Sequence, residues 1–287
     1  MDKRFNRILL TGAAGALGGV LRKSLAQSTS RLRLSDRKPV VPIGPREEAI
    51  VGDLADPEVV MRMTRDVDVV VHMGGAVGAE LPFELILQSN IIGLTNLYEA
   101  CRLNGVRRVI WGSSNHAIGF YPRTQRLDAS VMPRPDSYYG VSKVYGETIA
   151  QYYWDKFRLE TVSVRIGSCF PKPTDIRMLS TWQSYRDFSH LIDCCLRAPR
   201  VEHTIVYGVS NNDCQLWDNR MAAHLGYRPQ DNAEAYRVEV EAEASTPERD
   251  AALLAVHGGM YASAGHPRRE PNTPAAATKD AVTIKGH

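Results

Sequence analysis

At 287 residues, 44% of them hydrophobic, the chain can bury one sizeable core with a smaller lobe added, so one main domain is expected. Thirty-five basic against 32 acidic residues leave a formal charge of +3, too small and too evenly spread to argue for a nucleic-acid partner. Cys101, Cys169, Cys194, Cys195 and Cys214 form no Cys-x-x-Cys and lie at no zinc-site spacing, no apolar run approaches the roughly 20 residues of a membrane span, and Met1-Asp2-Lys3-Arg4 leads straight into a strand; the expectation is a cytoplasmic protein with reduced thiols, no metal and no membrane association.

Arg7 to Leu10 reads as a short apolar strand, followed at once by Thr11-Gly12-Ala13-Ala14-Gly15-Ala16-Leu17-Gly18 and then by a helical pattern through Leu21 and Leu25. Glycines 12, 15 and 18 remove the Cβ atoms that would keep a pyrophosphate from the backbone amides and from the positive helix N-terminus. Leu32 to Asp36 is a second strand; an acid at its end receives the adenosine ribose hydroxyls and repels a 2′-phosphate, which predicts NAD over NADP although Arg37 and Lys38 follow. The prolines between Pro39 and Pro45 predict an irregular loop. A third strand, Glu48 to Leu54, delivers Asp53 as either a partner for adenine or a helix cap before Pro57.

Val67 to His72 is an almost unbroken apolar strand, as suits a parallel sheet covered on both faces, and runs into Gly74-Gly75, where backbone can approach a ligand closely. Leu85 to Leu103 has helical periodicity and contains Asn90, a residue type that is more often a structural hydrogen-bonder than a ligand. Arg108 to Ser114 is a buried strand ending in hydroxyls. The alternation of strand and helix predicts an α/β fold, a Rossmann-like doubly wound parallel sheet with a small carboxyl-terminal substrate lobe.

Asp136-Ser137-Tyr138-Tyr139-Gly140-Val141-Ser142-Lys143 places a phenol and an ammonium one turn apart on one helix face. A tyrosine of pKa about 10 is a poor base, and a lysine cation beside it, worth about 2 to 3 units of depression, would make Tyr139 able to take a proton from an alcohol. The pair alone could equally be a packed ring and a solvated amine; Ser113-Ser114 at a strand's carboxyl end, where such sites lie, weighs for the chemical reading.

That helix is expected to reach Lys156, and Thr161 to Ile166 is the sixth strand, ending in Gly167-Ser168-Cys169-Phe170. Pro171-Lys172-Pro173 opens a loop containing Arg177, then Leu179 to Leu196 looks helical, Thr204 to Tyr207 is a short strand and Asp218 to Leu225 another helix. The expected division is 1–170 as dinucleotide domain, 171–240 as substrate lobe and 241–287 as an extension; from Ser263 to His287 its Pro, Gly, Ala and charge bury little apolar surface and predict disorder.

Taken together, Gly12-x-x-Gly15-x-x-Gly18, Asp36, Asp53-Leu54, Ser114 and Tyr139-x-x-x-Lys143 resemble the extended branch of the short-chain dehydrogenase/reductase superfamily over residues 5 to 240. Ser113-Ser114-Asn115-His116-Ala117-Ile118-Gly119-Phe120-Tyr121, Arg165-Ile166-Gly167-Ser168-Cys169-Phe170-Pro171 and Trp217-Asp218-Asn219 with His224-Leu225-Gly226-Tyr227 look more narrowly like the uronate dehydrogenases. The resemblance implies NAD-dependent oxidation of C1 of D-glucuronate or D-galacturonate to the aldaric acid lactone, by a homo-oligomer. Residue by residue it implies Tyr139 as base, Lys143 as its activating partner and ribose ligand, and Ser114 as the hydroxyl on the reacting oxygen, with Asn115, His116, Ser168 and Arg177 as further substrate contacts. It implies cofactor contacts at Gly12, Ala14, Gly15, Ala16, Leu17, Gly18, Asp36, Asp53, Leu54, Gly74, Asn90, Tyr139, Lys143 and Cys169. The chain departs from the family where a short Gly-Gly-x-Ser is expected: Gly74-Gly75-Ala76-Val77-Gly78-Ala79 carries no serine, so one sugar contact is not carried over. Two other functions share these motifs. A nucleotide-sugar epimerase or dehydratase would need a larger lobe than the stretch after Phe170, and a dinucleotide-sensing regulator would need no base.

Overall fold

The computed structural model describes residues 5–242 and 246–265. In chain order the elements are β1 (Phe5–Thr11), α1 (Ala16–Ser28), β2 (Thr29–Asp36), β3 (Glu47–Val51), α2 (Pro57–Thr64), β4 (Val69–His72), α3 (Phe83–Ile86), α4 (Gly93–Leu103), β5 (Arg108–Ser114), α5 (Tyr138–Phe157), β6 (Glu160–Ile166), β7 (Ser168–Cys169), α6 (Met178–Thr181), β8 (Trp182–Gln183), α7 (Tyr185–Arg197), β9 (His203–Gly208), α8 (Arg237–Ala242), α9 (Pro247–Ala255) and α10 (Met260–Ser263). The main sheet has seven parallel strands in the order β3-β2-β1-β4-β5-β6-β9, the doubly wound arrangement expected, with the direction of winding reversing between β1 and β4.

Strand side chains alternate between two cores, which is why the central strands are apolar throughout. Ile8, Leu10, Leu34, Val71, Ile110 and Val164 pack with Leu21 of α1 and Phe188 of α7. Leu9, Val70, Val109 and Trp111 pack with Val60 of α2, Leu97 of α4 and Ala150 of α5. Helix α5 is also fixed by charge. Buried Glu147 accepts from Arg165 Nε and Nη2 of β6, both at 2.9 Å, and from Ser113 Oγ of β5 at 2.7 Å, while Arg165 Nη1 donates to Tyr207 Oη of β9. Glu147→Ala would strand the Arg165 cation in the core, and a loss of about 3–5 kcal/mol in unfolding free energy is expected from urea titration; a loss below about 1 kcal/mol would mean that the guanidinium finds water or a new acceptor.

Four expectations are altered. The helix expected over Leu85 to Leu103 is interrupted by a π-helical turn, Leu87–Ile92. That turn carries Asn90 inward: its Oδ1 accepts from Ala76 N at 2.8 Å, and its Nδ2 donates to Ala76 O at 2.9 Å and Ser142 Oγ at 3.0 Å. The helix expected over Leu179 to Leu196 is split, because Ser184 leaves the helical conformation and caps α7 by accepting from Asp187 N at 2.9 Å; the freed Trp182–Gln183 pair with β7. The helix expected over Asp218 to Leu225 is a 3-10 turn at Arg220–Leu225, closed by Gly226 at φ +76.

The fourth change concerns the carboxyl-terminal third. Strand β9 is the edge of the main sheet and α7 packs on the sheet's face, so the sheet runs past residue 170. The part of the 241–287 extension that the structure describes, 246–265, folds back: Val256 bridges Pro122, and His257 N and Gly258 N donate to Tyr121 O (2.9 Å) and Gly119 O (2.8 Å). Most of the segment expected to be disordered lies outside the described residues. Among the described residues no helix is long and apolar enough to cross a membrane.

Candidate active site

The turn from β1 into α1 and the end of β4 approach so closely that side chains are excluded. A Cβ on Gly12, at φ +71, would lie 2.5 Å from Gly74 N, and one on Gly18 would lie 2.2 Å from Gly12 O. Two facing runs of bare backbone are the cradle a pyrophosphate needs at the amino end of a helix that begins with Ala16 and Leu17. Next to it, Asp36 at the end of β2 accepts from Ala14 N at 3.1 Å and Lys38 N at 3.0 Å, one amide on each oxygen. Gly15, Asp36, Asp53, Leu54 and Gly74 line one cavity, with Arg37 also on its wall. Asp53 is not the cap of α2, since Asp56 accepts from Glu58 N and Val59 N. Asn90 spends its amide on Ala76 and Ser142, which places it behind the Gly75–Ala76 turn as a brace.

At the end of β5, Ser114 caps the following 3-10 turn by accepting from His116 N at 3.2 Å, and its hydroxyl lies on the Tyr139 side, where it favours the phenolate. Helix α5 starts where it does because Ser137 Oγ accepts from Gly140 N at 3.0 Å, and this cap turns Tyr139 and Lys143 into the interior together. Lys143 Nζ donates to Gly112 O at 2.6 Å and sits 4.9 Å from the Trp111 ring centroid and 5.2 Å from that of Tyr139.

The expected depression of the phenol pKa is reversed in these surroundings. Burial removes water from the phenolate and pushes Tyr139 above the usual tyrosine range, with Ser114 opposing. Burial also lowers Lys143 to about 8, with Glu147 opposing. Desolvation therefore weakens both charged forms, and spacing along a helix could not have revealed it. Cys169, on β7, is half-buried, and burial pushes its thiol up.

On the other side of Tyr139 the four further sugar candidates converge. Buried Arg177, just before α6, donates from Nη1 to Ser168 Oγ at 3.1 Å and from Nε and Nη2 to His257 O at 3.1 and 2.7 Å. The Asn115 amide, turned so that its nitrogen donates to Ile166 O at 3.1 Å, accepts from Arg177 Nη2 at 2.9 Å. Among the described residues Arg177 has no carboxylate at ion-pair distance, and burial lowers its pKa to about 10. His116 pairs through Nδ1 with Asp136 Oδ2 at 2.7 Å and stacks on Tyr261, with ring centroids 3.8 Å apart at 15°.

His257 and Tyr261 escaped the sequence reading because they lie in the stretch set aside as an extension. The signal was there: Val256-His257-Gly258-Gly259-Met260-Tyr261 is a run with apolar and aromatic members between charged, alanine-rich neighbours. Asp136 stood in the key stretch without a role. The serine-free loop after β4 is held by Asn90, with Gly75 at φ +145 and Ala76 buried.

Residues 8–195 match the NAD dependent epimerase/dehydratase family. The chain is 52% identical to the uronate dehydrogenase of Pseudomonas putida over 91% of its own length and 97% of that protein's. The crystal structure of uronate dehydrogenase from Agrobacterium tumefaciens is similar at a TM-score of 0.88 and 48% identity, covering 92% of this chain and 99% of that one, and a tyrosine-to-alanine mutant of it complexed with NAD matches to the same degree.

Proposed function

Because the chain belongs to the NAD dependent epimerase/dehydratase family and, within it, to the uronate dehydrogenases, we propose that the site oxidises C1 of a hexuronic acid. It is an oxidoreductase and its cofactor is NAD, for which the bare cradle of Gly12, Gly18 and Gly74 and the Asp36 carboxylate provide a fitting site. The observation that carries the substrate reading is Arg177: a buried guanidinium bonded to uncharged acceptors beside the Tyr139–Ser114 pair is a socket for a substrate carboxylate.

In this reading Arg177 grips the C6 carboxylate, Asn115, His116 and Ser168 order the sugar, and Ser114 and Tyr139 hold the C1 hydroxyl. Tyr139 takes the hydroxyl proton as C1 gives up its hydride and the C1–O double bond of the lactone forms. NAD, when bound, supplies the hydride acceptor and a positive charge near the phenol. Lys143 holds the ribose and favours the phenolate. Ala14, Gly15, Ala16 and Leu17 would serve the pyrophosphate, Asp53 and Leu54 the adenine, and Cys169 would be a further cofactor contact. We further propose a homo-oligomer, supported by exposed Leu103 on α4 and Tyr152 on α5, and a cytoplasmic setting, supported by five free thiols.

The test is net NADH formation with uronic acids, neutral hexoses and nucleotide sugars. Uronates should be the good substrates; turnover of nucleotide sugars without net NADH would favour an epimerase instead. Cofactor preference follows from Asp36, whose carboxylate accepts from ribose hydroxyls and opposes a phosphate dianion. kcat/KM should favour NAD over NADP by at least about 10-fold, a margin of about 1.4 kcal/mol. Equal efficiency would mean that Arg37 sets the choice.

A further inference from the structure

His116 is held by a carboxylate that reaches no solvent. Asp136 has a fully buried side chain, and its Oδ2 lies 2.7 Å from His116 Nδ1 while its Oδ1 accepts from Ser137 Oγ at 3.0 Å. Two glycines from distant segments close over it: a Cβ on Gly119 or on Gly258 would lie 1.8 or 1.9 Å from Asp136 Oδ2. An ionised carboxylate only accepts, so the proton between the two groups sits on His116 Nδ1 and the neutral ring presents a bare Nε2. That Nε2 has no hydrogen-bond partner among the described residues, and the His116 side chain keeps 12% of its surface exposed. The ring cannot swing away, because Tyr261 stacks on one face and Tyr139 meets it edge-on with centroids 5.8 Å apart.

We propose that Asp136 is a positioning residue for the sugar oxidation: it fixes the tautomer and the plane of His116, so that Nε2 is the acceptor for a ring hydroxyl of the uronate. The inference rests on the uronate reading above. The groups facing His116 are Asp136 from the lead into α5, Tyr139 from α5, Arg177 from the lead into α6 and Tyr261 from α10; burial lowers the imidazole pKa, Asp136 opposes it, and Arg177 adds a smaller lowering. An asparagine at 136 can donate as well as accept, which permits the opposite tautomer and puts a donor where the sugar needs an acceptor.

The experiment is a double-mutant cycle of Asp136→Asn and His116→Gln, with uronate kinetics and NAD affinity read for each protein. Asp136→Asn should lower kcat/KM for the uronate about 10- to 100-fold, the scale on which carboxylate partners of metal-bound histidines act, and leave the dissociation constant for NAD within about twofold. The double variant should be no worse than His116→Gln by more than about threefold, because the two residues act as a unit. Additive losses, or Asp136→Asn within about threefold of wild type, would overturn the proposal. Ring nitrogen-15 NMR of the wild type tests it even where Asp136→Asn does not fold: the resonance lost in His116→Gln should show a protonated Nδ1 and a bare Nε2, and the reverse overturns it. Wild type that oxidises no uronate would instead overturn the substrate reading, a result the NMR outcome does not depend on.

Discussion

Tyr139→Phe is expected to bind NAD as the wild type does and to lose about 10²- to 10⁴-fold in turnover, the usual cost of removing a general base. The substitution removes one oxygen and keeps the ring, so the edge contact with His116 and the packing against Ile86 survive. In the proposed reaction the phenol oxygen is the group that takes the proton of the C1 hydroxyl, with Ser114 favouring its ionised form. Tyr138→Phe should be mild. Tyr138 lies about 100° around the helix from Tyr139, where its half-buried ring meets Phe83 with centroids 5.2 Å apart. Steady-state kinetics and NAD titration of both variants decide; an inactive Tyr138→Phe beside an active Tyr139→Phe would move the catalytic register by one residue.

Arg177→Ala should lower kcat/KM for the uronate by about 2–4 kcal/mol, the scale of losing one partner of a desolvated charge pair. Neutral glucose or galactose should be poor for the wild type, since either would leave the buried guanidinium without a counterion. The two effects should converge, so that the variant handles uronate and neutral hexose with similar efficiency. Arg177 also braces His257 O and Ser168 Oγ, so part of the loss will reflect slack in the strap over the site; this part falls on both substrates alike and cancels in their ratio. A strong preference for the uronate that survives in Arg177→Ala would assign carboxylate recognition to His116 or Asn115.

The parts of this molecule legible in its sequence are those fixed by neighbours in the chain. Alternation of apolar strands and amphipathic helices marks the doubly wound sheet, glycines 12, 15 and 18 mark the cradle, and spacing by one turn puts Tyr139 and Lys143 on a shared face. What was not legible depends on distance. Arg177 meets His257 across 80 positions, and the carbonyl it grips lies beyond the apparent end of the fold. The breaks at Leu87–Ile92 and Trp182–Gln183 follow from tertiary demands, a brace for Ala76 and a partner for β7, that helical periodicity does not record. The phenol pKa was misjudged for the same reason: the lysine is local, but the burial that outweighs it is contributed by the whole site.

The central claim is that hydride leaves C1 of a uronate for NAD, and it can be followed with one isotope. Purified protein would be given D-glucuronate or D-galacturonate deuterated at C1 together with unlabelled NAD, and the reduced cofactor would be analysed by mass spectrometry. The account predicts that the NADH formed carries the deuterium, one atom for each lactone produced. Unlabelled NADH, or consumption of the sugar with no reduced cofactor at all, would contradict it.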